Sequence, residues 1–146
     1  MSTEENKALV RRAIEEVWNQ GNVALIDELD HATLIHHDPD FPNVRTREDY
    51  RQWVIETRNA FPDLHLTIEE LIAEGDQVVT RWTARGTNAG ALVTPMPLPA
   101  TGRQVTVTGI TISHSAGGKF LENWQQGDTL GFLQQLGLIP APGQAG

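Results

Sequence analysis

The chain has no cysteine, a single tyrosine and only two lysines among its 146 residues. Without cysteine there is no disulfide, no thiolate nucleophile and no thiolate-held zinc. The lysines, Lys7 and Lys119, fall at the start of a predicted helix and beside a predicted hairpin turn. Neither is placed to be desolvated as an imine-forming amine. There is no run of ~18 apolar residues of the kind that spans a bilayer. The N-terminus, MSTEENKALVRR, lacks the apolar centre of a secretory signal. Together with the missing cysteines this predicts a cytoplasmic protein. Basic residues are also scarce, 11 against 19 acidic ones, for a net charge of −8. A surface of that sign repels phosphate backbones and anionic lipid, so neither nucleic acid nor a membrane is an expected partner.

What is present is enough for one domain over residues 1–146, with 138–146 as a mobile Pro- and Gly-rich tail. Ser2 and Glu5 have the spacing of a capping box, and Leu9, Val10, Ala13, Ile14, Val17 and Trp18 follow at helical intervals up to Gly21. Leu25, Ile26 and Leu29 mark a short second helix. Thr33 to His37 forms a short strand that runs into a Pro-rich loop. Thr46 caps a third helix bearing Tyr50, Trp53, Val54 and Phe61, and Pro62 stops it. The period then changes to two. Strands are predicted around Leu64–Ile72, Val78–Gly86, Val105–Ser115 and Lys119–Gly127, with a final helix carrying Leu130, Phe132, Leu133 and Leu136. The proline-interrupted stretch 87–103 is a loop long enough to cover a cavity. Helices followed by antiparallel strands make an α+β fold: a curved antiparallel sheet wrapped around N-terminal helices, cone-shaped with an apolar interior.

The last strand pair carries the candidate chemistry. With a three-residue loop at Ala116-Gly117-Gly118, His114 faces the same way as Ile112, Phe120, Glu122, Trp124 and Asp128. With a two- or four-residue loop the parity changes. A histidine and a carboxylate on one apolar cavity can move protons on an organic substrate. Asp128 can equally cap the helix that starts at Thr129. His114 and Asp128 are therefore the candidate catalytic pair, with Ile110, Ile112, Glu122 and Trp124 as pocket residues and Trp53 reaching in from the third helix. Of the adjacent His36 and His37 only one can enter a given pocket, and His37 is assigned there. No third ligand accompanies them, so no metal is expected. Arg81 and Arg85 are placed on an exposed or dimer-facing sheet surface.

The chain also resembles the SnoaL-like polyketide cyclases of the nuclear-transport-factor-2-like superfamily. The matching pieces run from about Glu5 to Gly137: Asn6 to Arg11, His37-Asp38-Pro39, Ala60 to Leu64, Glu74-Gly75-Asp76, Gly86-Thr87, Thr101-Gly102-Arg103, Gly118-Lys119-Phe120, Glu122-Asn123-Trp124, Asp128 and Leu133 to Gly137. The resemblance implies a cone-shaped fold and an aldol-type ring closure without metal or organic cofactor. It implies Asp128 as general acid/base with His114 beside it, and a homodimer packed through the outer sheet face. The expected substrate is a small hydrophobic or aromatic molecule, a polycyclic or aromatic-precursor ketone whose C–H between two carbonyls a single carboxylate can remove. A carboxylate enclosed by Trp124 and aliphatic groups is expected to have a raised pKa. Two other activities are compatible with the same cone, epoxide hydrolysis and ketone isomerisation, as is a non-catalytic small-molecule-binding domain. A second carboxylate with an arginine would favour hydrolysis. A tyrosine beside the acid would favour isomerisation.

Overall fold

The computed structural model of the protein describes residues 2–93, 95–140 and 143. Most of the tail expected to be mobile, residues 138–146, lies outside the described residues. Helix α1 (Thr3–Arg12) starts at the Ser2–Glu5 capping box, where the Glu5 N–H donates to Ser2 Oγ at 3.1 Å. It runs on through a π-helical stretch, Ala13–Asn19, and ends at Gly21, whose φ of 76° suits only glycine well. A short helix α2 (Ile26–Leu29) leads into β1 (Asp30–His37). Helix α3 (Arg47–Ala60) has its own capping box, Thr46 with Asp49. Four strands follow: β2 (His65–Glu74), β3 (Gln77–Thr87), β4 (Gln104–Ala116) and β5 (Lys119–Gly127), before α4 (Thr129–Gln135).

The five strands form one sheet in the order β1-β5-β4-β3-β2. Strands β2 to β5 pair antiparallel, and β1 returns to pair parallel with β5. Helix α1 packs on β2 and β3, α3 on β1, and α4 on β4. The sheet thus curves around α1 and α3, the expected cone. One apolar cluster joins α1 and α3 to the sheet through Val10, Val17, Trp18, Val54, Val78 and Phe120. A second gathers Phe61, Leu92, Leu98, Val105 and Leu136 at the other end.

The loop 87–103 is tied down rather than open. Asn88 is fully buried, and its Oδ1 accepts the Thr101 N–H at 3.0 Å and the Thr101 hydroxyl at 2.8 Å. Leu92 and Leu98 exchange backbone hydrogen bonds of 2.9 and 2.7 Å. Leu92, Pro95 and Met96 face the cone's interior, so the loop covers the cavity.

The β4–β5 hairpin differs from the three-residue expectation. Ala116 pairs with Lys119, leaving a two-residue turn in which Gly117 and Gly118 both have positive φ, 60° and 81°. Ser115 then pairs with Phe120, and both turn inward. A bulge at Leu121 shifts the register, so that His114 pairs with Glu122 and Ile112 with Trp124. These four side chains do share a face, but it is the convex outer one, and Phe120 is not on it. The concave face is built instead from Thr111, Ser113, Asn123 and Gln125.

Trp82, projecting inward from β3, lies over Gly109, its partner on β4. A Cβ at Gly109 would sit inside the indole ring. Gly109→Ala is therefore expected to destabilise the fold by ~1–3 kcal/mol, the range for overpacking. Urea unfolding checks this, and an unchanged midpoint would mean that the ring lies elsewhere.

Candidate active site

The cone encloses a cavity of about 200 Å³. Its walls are mostly apolar, with Val10, Ile14, Val17, Trp53, Leu66 and Phe132 among them. Polar groups enter from the concave sheet face in two rows. Strand pairing aligns Thr80 with Thr111 and Thr111 with Gln125, and Asp38 completes this row two residues after His36. The next row aligns Ser113, Asn123 and His36.

Asp38 is a cavity carboxylate with a polar partner on each oxygen. It is buried, and Oδ1 accepts the Asp40 N–H at 2.9 Å. Its Oδ2 faces the Gln125 amide at 3.5 Å, the far limit of a hydrogen bond. Gln125 Oε1 in turn accepts the Thr111 hydroxyl at 3.2 Å, and Thr111 Oγ1 accepts the Trp82 Nε1–H at 3.0 Å. This chain of side chains orients the acid from β3 across to β1. Burial raises the Asp38 pKa, opposed by the Asp40 N–H. A buried, oriented carboxylate with a raised pKa is the group that general acid–base catalysis needs.

A second acid, Asp30, lines the deep end. Burial lifts its pKa to about 7, against the pull of Arg47 and Arg51. Tyr50 stands in the same region, its hydroxyl accepting the Trp18 Nε1–H at 2.8 Å. Burial and the Asp30 charge raise the tyrosine's pKa further above its ordinary value. His36 packs between Tyr50 and Trp53, with ring centroids 5.3 and 5.4 Å away. Burial and the neighbouring His37 lower its pKa to about 4, so it is neutral at pH 7.

The residues expected to form the site are distributed otherwise. Trp53 lines the cavity. His114 does not: its Nε2 lies 3.0 Å from Asp76 Oδ2 at the β2–β3 turn. Asp128 is exposed and caps α4, accepting the Gly131 N–H at 2.9 Å. His37 points outward, 2.6 Å from Glu122 Oε2 and stacked on Trp124 at 5.4 Å. Ile110, Ile112, Trp124 and Asp128 line a shallow groove on the convex face with His37 and Arg81. The pair His114–Asp128 therefore shares no cavity, and Glu122 enters none. The parity rule admitting only one of His36 and His37 holds, but the one inside is His36. Arg81 is exposed and bonds Glu70, whereas Arg85 reaches the cavity rim. Among the described residues no three His, Asp or Glu side chains converge as metal ligands would.

Asp38, Gln125, Asn123 and Asp30 were missed. A signal existed for Asp38 and His36: both share parity with the buried Leu34 on β1. The outward Ile35 is equally apolar, and it hid the pattern.

The curved open sheet, the helices inside it and the acid-bearing cavity define a cone-shaped α+β domain of the nuclear-transport-factor-2-like type. The chain belongs to the SnoaL-like polyketide cyclase family, whose model matches residues 8–136. Among solved structures it is similar to TsrD from Streptomyces laurentii, with 28% identity, a TM-score of 0.82, and 95% of this chain and 99% of that one covered. It is likewise similar to a candidate polyketide cyclase from Acidithiobacillus ferrooxidans, with 31% identity, a TM-score of 0.79, and 93% and 97% covered. A third is AclR, a candidate hydroxylase from Streptomyces galilaeus, with 26% identity, a TM-score of 0.80, and 96% and 85% covered. No curated protein matches the chain in sequence. No helix of the described residues is long and apolar enough to cross a membrane.

The buried acid and the buried imidazole have opposite effects on stability. Folded Asp30 keeps its proton up to about pH 7, while the unfolded chain releases it near 3.8. The folded state binds more protons in that window, so stability falls as pH rises through it. Folded His36 stays neutral down to about pH 4, against 6.5 when unfolded, so its contribution falls as pH drops through that range. Asp30→Asn removes the first slope alone. Between pH 4.5 and pH 8 the variant is expected to gain on the wild type by on the order of 2–4 kcal/mol in urea unfolding. A constant difference across that range would refute the raised pKa.

Proposed function

We propose that the protein is a cofactor-independent acid–base enzyme that closes a ring by an aldol-type step on a carbonyl compound held inside the cone. The proton-moving group is Asp38 rather than Asp128. The observation that carries this reading is that Asp38 is buried in the apolar cavity and oriented by the Asp40 N–H. Its carboxylate takes the proton from a carbon flanked by two carbonyls. The resulting enolate carbon bonds to a second carbonyl carbon, and the new alkoxide recovers the proton from Asp38. No net proton, electron pair or leaving group is gained or lost. The apolar walls exclude water that would otherwise compete for the proton. Membership of the cyclase family supports the same reading. Ketone isomerisation is the related reading. One observation favours it: the single tyrosine, Tyr50, lines the cavity next to an acid.

The test compares two aspartates. A panel of β-diketones followed by absorbance first identifies a substrate, with buffer catalysis subtracted. Asp38→Asn is expected to lower turnover by ~100-fold or more. Asp128→Ala is expected to lose ~1 kcal/mol of stability as a missing helix cap while retaining turnover. The reverse pattern would return the role to Asp128.

We also propose that a second copy of the chain covers the convex face. Ile35, Ile72, Ile110, Ile112 and Trp124 are all exposed there. Large apolar patches of this kind mark association surfaces, and two-fold pairs are the commonest form. Sedimentation is expected to give a species of about twice the 16.1 kDa chain mass. Trp124→Lys should shift it towards the monomer. A wild-type species of one chain mass at micromolar concentration would count against this.

A further inference from the structure

In the row that holds Asp38 and in the next one, the concave face carries buried polar atoms with no hydrogen-bond partner among the described residues. They are both ring nitrogens of His36, the Oδ1 of Asn123 and the Oγ1 of Thr80. All three residues line the cavity, and they are 2%, 7% and 1% exposed. His36 and Asn123 are lateral neighbours on β1 and β5. Tyr50 and Trp53 wedge the imidazole in place, so it cannot turn to find another partner. Buried polar groups in folded proteins are nearly always paired, and unpaired ones call for an explanation. Three on one wall of an apolar cavity point to a ligand.

The atoms define what that ligand presents. Neutral His36 offers one N–H donor and one bare nitrogen acceptor. The Asn123 amide oxygen accepts, and the Thr80 hydroxyl does both. A bare ketone oxygen can only accept, which leaves the His36 acceptor and Asn123 Oδ1 unmet. A carboxylate or phosphate on this wall would face Asp30 and Asp38 in the same cavity, whereas the lining arginine, Arg85, stands on β3 at the rim. A hydroxyl both donates and accepts, and carries no charge. Size sets a second limit. The cavity is about 200 Å³, and an apolar cavity of ~150 Å³ holds a single benzene. One ring or two fused rings fit within that space, whereas a linear four-ring system would have to protrude through the open side of the cavity.

We propose that His36 and Asn123 form a hydroxyl-recognition site, with Thr80 a separate polar contact two strands away on β3, and that the cavity takes a neutral hydroxylated carbonyl compound of one or two rings. This rests on the cavity being the reaction site, but not on the role of Asp38. The probes are 1-naphthol, naphthalene and the three-ring 1-anthrol, with binding followed by fluorescence and calorimetry. The wild type is expected to bind 1-naphthol at least ~10-fold more tightly than naphthalene, the scale of one or two net hydrogen bonds. It should bind 1-anthrol more weakly than 1-naphthol. His36→Phe and Asn123→Leu are expected to narrow the naphthol–naphthalene ratio while leaving naphthalene binding intact, and Thr80→Val, remote from that pair, to leave the ratio unchanged. Folded variants are identified by their melting curves. Those that replace an unpartnered polar group by an apolar one of similar shape should melt no lower than the wild type. Equal binding of the two bicyclic probes, binding of neither, or a ratio unchanged in the folded His36 and Asn123 variants would overturn the hydroxyl site. Tighter binding of 1-anthrol would overturn the size limit. These outcomes are independent of the Asp38→Asn comparison, so either reading can fail alone.

Discussion

The β4–β5 hairpin is the constraint on which the cavity depends. Gly117 and Gly118 both adopt positive φ, which permits a turn of only two residues. The bulge at Leu121 then restores the pairing of His114 with Glu122. Because side chains alternate along a strand, these two features decide every position back to Gly109 and forward to Gly127. They place Thr111, Ser113, Asn123 and Gln125 inside. One residue of slip would replace this polar surface with Ile110, Ile112 and Trp124, and would strand the Asp38 carboxylate without its amide neighbour. The bend that the bulge imparts also helps the sheet close over α1 and α3.

The resulting distribution inverts the usual one for a sheet that covers a core. The concave face is polar where it meets the cavity, and the convex face is apolar at the same rows. Each half of that inversion makes sense only with something else present. The polar rows need a partner inside the cone, because the opposing helices offer Val10, Ile14 and Val17. The convex isoleucines and Trp124 form the surface on which the proposed second copy would pack. A domain of this size could have filled its cone with leucine and been more stable. It keeps acids and an imidazole there instead, and Asp30 and His36 pull stability in opposite directions as pH changes.

The parts of the fold set by local chemistry were legible in the sequence. The boxes Ser2–Glu5 and Thr46–Asp49 involve neighbours three residues apart, and both caps are formed. The predicted strands Leu64–Ile72 and Val78–Gly86 likewise bracket the observed β2–β3 hairpin. The parallel return of β1 to β5 was not legible, because it joins residues more than 80 apart with no local signal. The inward face of β4 and β5 was misassigned for a definite reason. Ile110, Ile112 and Trp124 are larger and more apolar than Thr111, Ser113 and Asn123, so hydrophobicity favours the wrong face. Parity arguments also carry the uncertainty of the turn: both a three-residue loop and a two-residue turn with a bulge are available to Ala-Gly-Gly-Lys. Asp38 stands in a Pro-rich corner, where its parity with Leu34 is the one sign that it turns inward.

That corner shows how a loop residue becomes a site residue. Asp38 follows β1 directly, and Pro39 forces the chain to turn away just beyond it. The acid therefore keeps the inward direction of Leu34 and His36, while its backbone is already leaving the sheet. Departure from the strand frees the Asp40 N–H, which in a continued strand would have been committed to a neighbour, and that N–H binds the carboxylate. The other flank is supplied by Gln125 on β5, held by Thr111 on β4 and Trp82 on β3. Gly109 leaves the space in which that indole can lie. A carboxylate at a strand end is thus oriented from one side by its own loop and from the other by three strands. It can therefore remain buried in an apolar cavity without being locked into an ion pair that would remove its basicity.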